Sequence, residues 1–467
     1  MNAFERFVSE SPVAELFGAQ AILTAMLGFE AALARAQASC GLIPAEAAEV
    51  IASACKLEGF DVEAILRRSG DAGSLAIPLV QALTAKVQAV SPDAARHVHW
   101  GSTSQDVIDT ALVLQTRKAL RLIDEELAGL IAALLRIAEA HAATPVLART
   151  MMQAAQVTSL GWKAIGWVSP LIRCREHLHT QARQSLALQL GGAIGTLAAY
   201  GPAAQPLARA LAQSLSLHWS GCNWHTQRDE WMRLAAEIAV LTGALGKLAT
   251  DLALMAQTEV GELAEPTAPG RGTSTALPHK RNPVAAMIAL AAAHRAPGRV
   301  ANLFAAMTAE HERGLGNWQA ELAEWPGLFI SAEASVRNLR LAFEGLEIHA
   351  GRMRANIGAL QGLIFAEELV HCLAREMGRP KARAWVDRLC AEALDGRGSL
   401  PERLAEAAQC EPELVGPALL EQAMAVFSVE RAVEPARDRV REALPGLRER
   451  HEALWAGAGD TRGVSPA

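Results

Sequence analysis

Apolar residues recur at helical spacing along most of the chain, and two stretches are especially regular. Within each stretch the apolar positions step by four, three, four and three residues. The members are Ile123, Leu127, Leu130, Leu134 and Ile137 in the first stretch, and Leu241, Leu245, Leu248, Leu252 and Met255 in the second. This spacing places one apolar seam on each helix and is typical of long helices packed at shallow angles in a bundle.

Glycine and proline residues divide this helical pattern into three parts. Residues 1–108 hold short helices, and we expect an N-terminal helical domain there, with breaks at 41–44, 70–73 and 91–92. Residues 109–350 hold the long helices and predict a central bundle domain, interrupted at 144–150, 189–206, 265–283 and 313–326. In residues 351–467 the helices shorten again and charge rises, which predicts a C-terminal helical domain.

Composition supports an all-α fold. Hydrophobic residues make up 51% of the chain but aromatic residues only 4%, so alanine and leucine, which favour helices, dominate. Runs of β-branched residues are almost absent. The alanine-rich helix faces beside the two seams predict more neighbours than one subunit offers, and a homo-oligomer would bury them.

Bulk charge and cysteine usage narrow the class of protein. The net charge of -6 argues against nucleic acid as a partner, although an acidic protein can still hold a basic pocket for a small anion. The seven cysteines form no CxxC pair, which favours a reducing compartment. The first ten residues lack an apolar signal core, and apolar runs such as 284–293 are too short to span a bilayer. We therefore expect a soluble, cytoplasmic protein with no membrane partner.

The loop from Glu265 to Pro283 is the most informative segment. It is dense in glycine, proline, serine and threonine, and it leads into a helix expected to begin near Asn282 and Pro283. A glycine-rich loop before a helix N-terminus suits an anion held by backbone N–H groups, with Lys280 adding a positive charge. A surface loop with a helix cap is the alternative interpretation.

A second segment, residues 97–110, offers several hydroxyls at a predicted helix start. Ser104 or Asp106 is the expected N-cap, and an anion would fit beside the free hydroxyls. His97 and His99 also resemble a metal pair, but no third ligand at suitable spacing accompanies them.

A third segment, residues 147–153, contains the pair Met151 and Met152. By itself this pair is typical of a hydrophobic core. Beside an active site it matters more, because methionine cannot donate a proton.

These motifs resemble the fumarase/aspartase superfamily. The string from Thr273 to Pro283 is similar to the signature Gly-Ser-Ser-x-Met-Pro-x-Lys-x-Asn-Pro, with Ser274 on the first serine, and Gly101 to Asp106 resembles the first conserved region. Further stretches resemble its bacterial 3-carboxy-cis,cis-muconate cycloisomerase branch; they are residues 73–80, 99–110, 189–193, 224–229, 279–283 and 311–313.

The resemblance implies a role for each matching residue. Ser274 would be the catalytic base, which removes or returns the proton on the carbon next to a carboxylate. The substrate-binding residues would be His99, Ser102, Thr103, Ser104, Arg149, Thr150, Gln153, Gln227, Lys280, Asn282 and Arg313. Arg313 is instead a structural partner of Glu312 in an alternative interpretation. No cofactor or metal is implied.

The residue at position 151 bears on the reaction. Superfamily members that expel an amine or hydroxide usually have histidine there, and the histidine helps protonate the leaving group. A carboxylate, with a pKa of about 4, leaves without that proton. The resemblance to the cycloisomerase branch implies the interconversion of 3-carboxy-cis,cis-muconate and a carboxymuconolactone in protocatechuate catabolism, through an aci-carboxylate intermediate.

Two alternatives stay open. One is a C–N lyase acting on a succinyl-type substrate; Met151 argues against an adenylosuccinate-like substrate, but it permits nitrosuccinate, because nitrite is a weak base. The other is a catalytically silent helical scaffold, against which the intact Ser274, Lys280 and Asn282 argue. The resemblance further implies a three-domain fold and a homotetramer whose active sites are shared between subunits.

Overall fold

The computed structural model describes residues 3–267, 270–274 and 276–460, with side chains described as far as residue 454. Its α-helices, in chain order, are α1 (Ala3–Val8), α2 (Val13–Leu16), α3 (Ala19–Ser39), α4 (Ala45–Ala54), α5 (Val62–Ala72), α6 (Ala76–Gln88), α7 (Pro92–Ala95), α8 (Ser104–Ala140), α9 (Leu160–Ser185), α10 (Ala204–Ser214), α11 (Asp229–Met255), α12 (Val284–Ala305), α13 (Asn317–Glu344), α14 (Ala350–Gly358), α15 (Ala366–Met377), α16 (Arg379–Leu394), α17 (Leu400–Cys410), α18 (Pro417–Ala425), α19 (Val429–Ala432) and α20 (Glu434–Asp460). Its strands are β1 (Pro145–Thr150), β2 (Gln153–Ser159), β3 (Leu263–Ala264) and β4 (Glu347–Ile348), which form two antiparallel two-stranded ribbons, β1–β2 and β3–β4.

Five long helices form the central bundle. In chain order α8, α9, α11, α12 and α13 run alternately up and down, and each packs against its neighbours. The predicted seams are confirmed, because all ten seam residues are buried. With 37 residues, α8 is about 55 Å long. We call the end of the bundle where α8, α11 and α13 begin the first end, and the opposite end the second end.

Buried apolar residues fall into three clusters. One fills the bundle, a second joins α3–α7 to the segment 188–217, and a third lies within α15–α18. The clusters do not follow the chain order strictly, because α20 returns to pack on α8 and α9. The division at residue 108 falls inside α8, so the domain bounds expected from the sequence remain a prediction.

Two of the predicted breaks coincide with helix ends, and two local predictions need correction. Gly73 ends α5 in the left-handed conformation and Ser91 caps α7. The N-cap of α8 is Thr103 rather than Ser104 or Asp106, and Asp106 completes a capping box as the third residue of the helix. Pro326 lies inside α13 instead of ending a loop, because the helix already begins at Asn317.

Among the residues that the structure describes, one helix is by length and composition apolar enough to cross a membrane, contrary to the expectation that every apolar run is too short. This helix, Asp229–Met255, buries half of its most apolar stretch within the chain. It packs against α9, α12 and α13. Its apolar face therefore packs in the core of the bundle.

Candidate active site

Asp106 is the centre of the first end of the bundle. Its fully buried carboxylate accepts hydrogen bonds from the backbone N–H groups of Thr103 (3.1 Å), Gly191 and Gly192 (2.9 Å each). It also lies 2.7 Å from Nε2 of His225, which is buried. One carboxylate therefore holds together the start of α8, the 189–193 loop and the segment before α11.

Arg313 adds the loop between α12 and α13 to this assembly. Its guanidinium donates to Oε1 of Gln105 (3.2 Å) and to the backbone oxygens of Gly192 (3.5 Å) and Ala193 (3.3 Å). Gln105 in turn donates to the backbone oxygen of His225 (2.9 Å). The partners of Arg313 are therefore Gln105 and the 189–193 loop rather than Glu312.

A cluster of buried ion pairs also lies at the first end of the bundle. Arg228 donates to Asp109 (2.7 Å) and to Glu321 (3.0 Å), and all three side chains are almost completely buried. Trp318 and Gln189 donate to the remaining positions on Asp109, at 2.9 and 3.1 Å. Burial raises the pKa of Glu321 despite the neighbouring guanidinium. Removing one member of such a cluster typically costs about 3–5 kcal/mol.

The predicted hydroxyl residues lie on this framework. Ser102 donates to Asp106 at 3.4 Å, and Thr103 and Ser104 begin α8. All three are partly open to solvent, and Gln227 is exposed just before the buried Arg228. The first end thus brings together His99, Ser102, Thr103, Ser104, Gln227 and Arg313.

At the second end, a hairpin carries Arg149, Thr150 and Gln153. The strands β1 and β2 are joined by Met151 and Met152, which are 94% and 74% exposed. Both methionines have positive φ, 50° and 64°, as in the hairpin turns that normally contain asparagine and glycine. The pair is therefore exposed at a turn and does not lie in the core.

Glu262 fixes this hairpin. Its carboxylate is fully buried and accepts two hydrogen bonds from Arg149, at 2.7 and 3.0 Å, and a third from Asn356 of α14 (2.9 Å). A contact between Arg149 and a substrate would have to use its other N–H groups.

The loop with Ser274 lies at the same end of the bundle, where its Arg281 donates to Glu347 of β4 at 2.6 and 2.9 Å. The Oγ atom of Ser274 accepts hydrogen bonds from the backbone N–H groups of Leu277 (3.1 Å) and Ala276 (3.4 Å). The backbone N–H of Asn282 donates to the backbone oxygen of Gly272 (2.9 Å) and so closes the loop. Lys280 is exposed. A negative charge on Ser274 would meet two N–H dipoles.

The helix after this loop begins as expected, with Pro283 as N-cap and Val284 as first residue. Its N-terminus is not open to an external anion in the way the sequence suggested. The carboxylate of Glu265 accepts the N–H groups of Ala285 and Ala286, both at 3.0 Å. The side chain of Glu265 therefore occupies the position at this helix N-terminus that an external anion would take.

The predicted residues thus form two groups at opposite ends of the bundle. Arg149, Thr150, Gln153, Ser274, Lys280 and Asn282 lie at the second end. The helices α8 and α11, which connect the two ends, are 37 and 27 residues long, or about 55 and 40 Å. One chain therefore does not bring the two groups together.

Sequence analysis missed the acidic residues that hold both groups in place. These are Glu30, Glu262 and Glu265, together with Asp106, which was interpreted only as a helix cap. Each is a carboxylate in an otherwise apolar or glycine-rich setting, and such a residue is expected to be paired.

No group of three or more histidine, cysteine, aspartate or glutamate side chains that could hold a metal occurs among residues 3–267, 270–274 and 276–460. The side chain of His99 instead lies 2.6 Å from Glu30.

Comparison with known proteins identifies the family. A lyase family model matches residues 5–298. The 3-carboxy-cis,cis-muconate cycloisomerase of Pseudomonas aeruginosa is 44% identical, over 88% of this chain and 90% of its own. The crystal structure of 3-carboxy-cis,cis-muconate lactonizing enzyme from Pseudomonas putida superposes with a TM-score of 0.90 and 39% identity, over 97% of this chain and 99% of that one.

A relative with another activity is also similar. The nitrosuccinate lyase of Streptomyces davaonensis is 38% identical, over 94% of this chain and 92% of its own. The higher identity to the cycloisomerase and the superposition on the lactonizing enzyme agree with the motifs at both ends of the bundle. The chain belongs to the lyase family of the fumarase/aspartase superfamily, and within it to the 3-carboxy-cis,cis-muconate cycloisomerase branch.

Proposed function

We propose that this protein interconverts 3-carboxy-cis,cis-muconate and a carboxymuconolactone. In the forward direction one substrate carboxylate adds to a carbon–carbon double bond and forms the ring C–O bond. The electron pair moves into the carboxylate next to the other carbon and gives an aci-carboxylate. That carbon then takes a proton, so each lactone formed consumes one proton from solvent.

The hydrogen bonds that Ser274 accepts are the main support for this proposal. A serine hydroxyl is a poor acid or base unless its alkoxide is stabilised. Here the Oγ atom already accepts two backbone N–H groups, from Ala276 and Leu277. Ser274 can therefore give its proton to the aci-carboxylate, regain one from solvent, and act as a base in the reverse direction.

The turn at Met151 supports a carboxylate as the group that adds or leaves. Neither methionine of the turn can donate a proton. An amine leaving group needs such a donor, whereas a carboxylate does not. The same argument permits nitrite, which is why the second candidate function is elimination of nitrite from nitrosuccinate, favoured by the similarity to the nitrosuccinate lyase.

Binding of a tricarboxylate is assigned to both groups of residues. His99, Ser102, Thr103, Ser104, Gln227 and Arg313 would hold carboxylates from the first end. Arg149, Thr150, Gln153, Lys280 and Asn282 would hold them beside Ser274. No cofactor or metal enters this chemistry.

The separation of the two groups favours active sites shared between subunits. If a second copy packs antiparallel along the bundle, its second end lies against the first end of this copy. Exposed apolar residues on the long helices, such as Val240 of α11 and Met287 of α12, suit such packing. We propose a homotetramer, with no nucleic acid or membrane partner, acting in the cytoplasm.

A substrate comparison tests the function. Purified protein is mixed in parallel with 3-carboxy-cis,cis-muconate, followed by loss of diene absorbance, and with nitrosuccinate, followed by nitrite release. We expect rapid loss of the diene and no nitrite. Nitrite release without any change in the diene would replace the cycloisomerase by the lyase.

A further inference from the structure

The turn that carries His99 is held by two residues of α3. Glu30 and Gln37 are both buried and lie seven residues apart, on the same face of that helix. Glu30 contacts Nδ1 of His99 at 2.6 Å, and Gln37 donates to the backbone oxygen of Trp100 at 2.7 Å. Tyr200 donates to the same oxygen at 2.9 Å.

Backbone geometry reinforces this arrangement. His99 has a φ of 59°, in the left-handed region, where residues other than glycine are held only by their surroundings. Gly101, two residues later in the turn, has no room for a side chain, because a Cβ atom there would lie 2.5 Å from the ring of Tyr200. The backbone of the turn is therefore restrained, and the contact with Glu30 orients the imidazole.

The two nitrogens of His99 have different surroundings. Nδ1 faces Glu30, whose side chain is only 1% exposed. Nε2 has no hydrogen-bond partner among the described residues, and the His99 side chain remains 19% exposed. The free nitrogen belongs to the turn that leads directly into Ser102, Thr103 and Ser104.

The geometry points to Glu30 as a positioning residue that keeps His99 in its protonated form, so that Nε2–H presents a positive charge to a carboxylate of the substrate. Glu30 itself contacts no substrate in this arrangement. The identity of the substrate rests on the proposed function, but the effect of Glu30 on His99 does not.

Electrostatics at this position agree. Burial alone would lower the pKa of His99, but the charge and hydrogen bond of Glu30, with a smaller contribution from Asp106, outweigh burial and leave the pKa raised. Because its pKa is raised, His99 keeps its positive charge to a higher pH than an ordinary histidine. The charge is lost as the pH rises through this pKa. Binding that depends on His99 should weaken in the same direction.

Other titratable groups face the pair but do not cancel its charge. Tyr200 lies near both Glu30 and Asp106, and burial raises its pKa, so it stays neutral. Burial likewise raises the pKa of the Cys55 thiol, to about 12. The cations Arg35 and Lys86 act to lower the pKa of Cys55 but do not outweigh burial, and each has partners of its own: Arg35 pairs with Glu49, and Lys86 donates to the backbone oxygens of Lys56 and Glu58.

Titration of His99 in the intact protein tests the inference without any assumption about the reaction. Histidine labelled with ¹³C at Cε1 is incorporated, and the His99 signal is assigned by its loss in His99→Asn. We expect the wild-type pKa of His99 to lie above the ordinary value of 6.5. In Glu30→Gln, which keeps the shape and an accepting oxygen but removes the charge, it should fall by about one unit or more.

Glu49→Gln is the matched control. Glu49 of α4 forms an exposed pair with Arg35, which lies on α3 like Glu30. This substitution should leave the His99 titration unchanged. A wild-type His99 that titrates at or below its ordinary value would overturn the inference, whether or not Glu30→Gln folds.

Kinetics separate charge control from a purely structural role. With 3-carboxy-cis,cis-muconate as substrate, Glu30→Gln should raise KM about tenfold at a pH between the His99 pKa of the variant and that of the wild type, with little change in kcat, and lower pH should restore KM. An equal loss of kcat/KM at every pH would contradict the inference. If no variant or wild type turns the substrate over, the proposed function fails while the titration still decides the role of Glu30.

Discussion

At the scale of single residues, the proposed proton transfer is assigned to Ser274. Its Oγ atom meets two backbone N–H groups of its own loop. Ser274→Ala should lower kcat by about 10²–10⁴-fold, the usual contribution of a positioned acid or base, without changing the oligomer. Loss of diene absorbance measures the activity and size-exclusion chromatography the assembly.

The neighbouring Thr273 offers the control for this substitution, because it is exposed and has no assigned role. Thr273→Ala should keep nearly full activity. If Ser274→Ala remained as active as Thr273→Ala, another group would have to move the proton.

At the scale of elements, closure of the 270–283 loop depends on Gly272. Its φ is 69°, and a Cβ atom there would lie 2.6 Å from the backbone oxygen of Asn282. Gly270 also has a positive φ, 77°, but open space around it. Gly272→Ala should therefore lower kcat/KM by about tenfold or more relative to Gly270→Ala, because misplacement of the loop moves Ser274. Equal effects of the two substitutions would mean that only backbone strain matters.

Asp124 of α8 pairs with two residues of α9, so we expect the stability of the helix bundle to fall at acid pH. Burial opposes ionisation, but hydrogen bonds from Arg175 and His179 of α9 outweigh burial and lower the pKa of Asp124 to about 2 from 3.8. A lowered pKa contributes stability above the ordinary value, and this contribution is lost as the pH falls through about 2.

Asp124→Asn should accordingly lower the thermal midpoint at neutral pH, and its difference from wild type should shrink between about pH 4 and pH 2. Asp387→Asn, in an exposed pair with Arg383, should show little difference at any pH. A constant difference for Asp124→Asn over this range would contradict the assignment.

At the scale of the whole molecule, the two groups of site residues lie at opposite ends of one bundle. Shared sites predict that two defective variants restore each other when refolded together. Ser274→Ala damages the second end, and the double variant Ser102→Ala, Ser104→Ala damages the first. In a random mixture, half of the subunits have an intact first end and half have an intact second end. A site that takes its two ends from different subunits then has a chance of about one half times one half, so about a quarter of the sites should work. A mixture no more active than its components would mean that each site belongs to one chain.

The sequence predicted the helices of the bundle well, because their apolar residues repeat at helical spacing over many turns. It also predicted the loop with Ser274, since glycine and proline interrupt that pattern. The hairpin was missed, because Met151 and Met152 are not typical turn residues.

Buried polar partners were harder to predict, because pairing depends on contacts distant in sequence. Glu30 and Gln37 lie on the same buried stripe of α3 as Leu23, Met26 and Leu33. Two polar residues on an apolar stripe indicate buried partners, but the partners, His99 and Trp100, lie more than sixty residues away.

Incubation of the protein with 3-carboxy-cis,cis-muconate in D₂O tests the central claim most directly. If Ser274 exchanges with solvent and gives its proton to the aci-carboxylate, mass spectrometry should find one deuterium in the lactone, on the carbon next to a carboxylate. Ser274→Ala should form this product about 10²–10⁴-fold more slowly. A lactone without deuterium, or an unchanged substrate beside rapid release of nitrite from nitrosuccinate, would contradict the account.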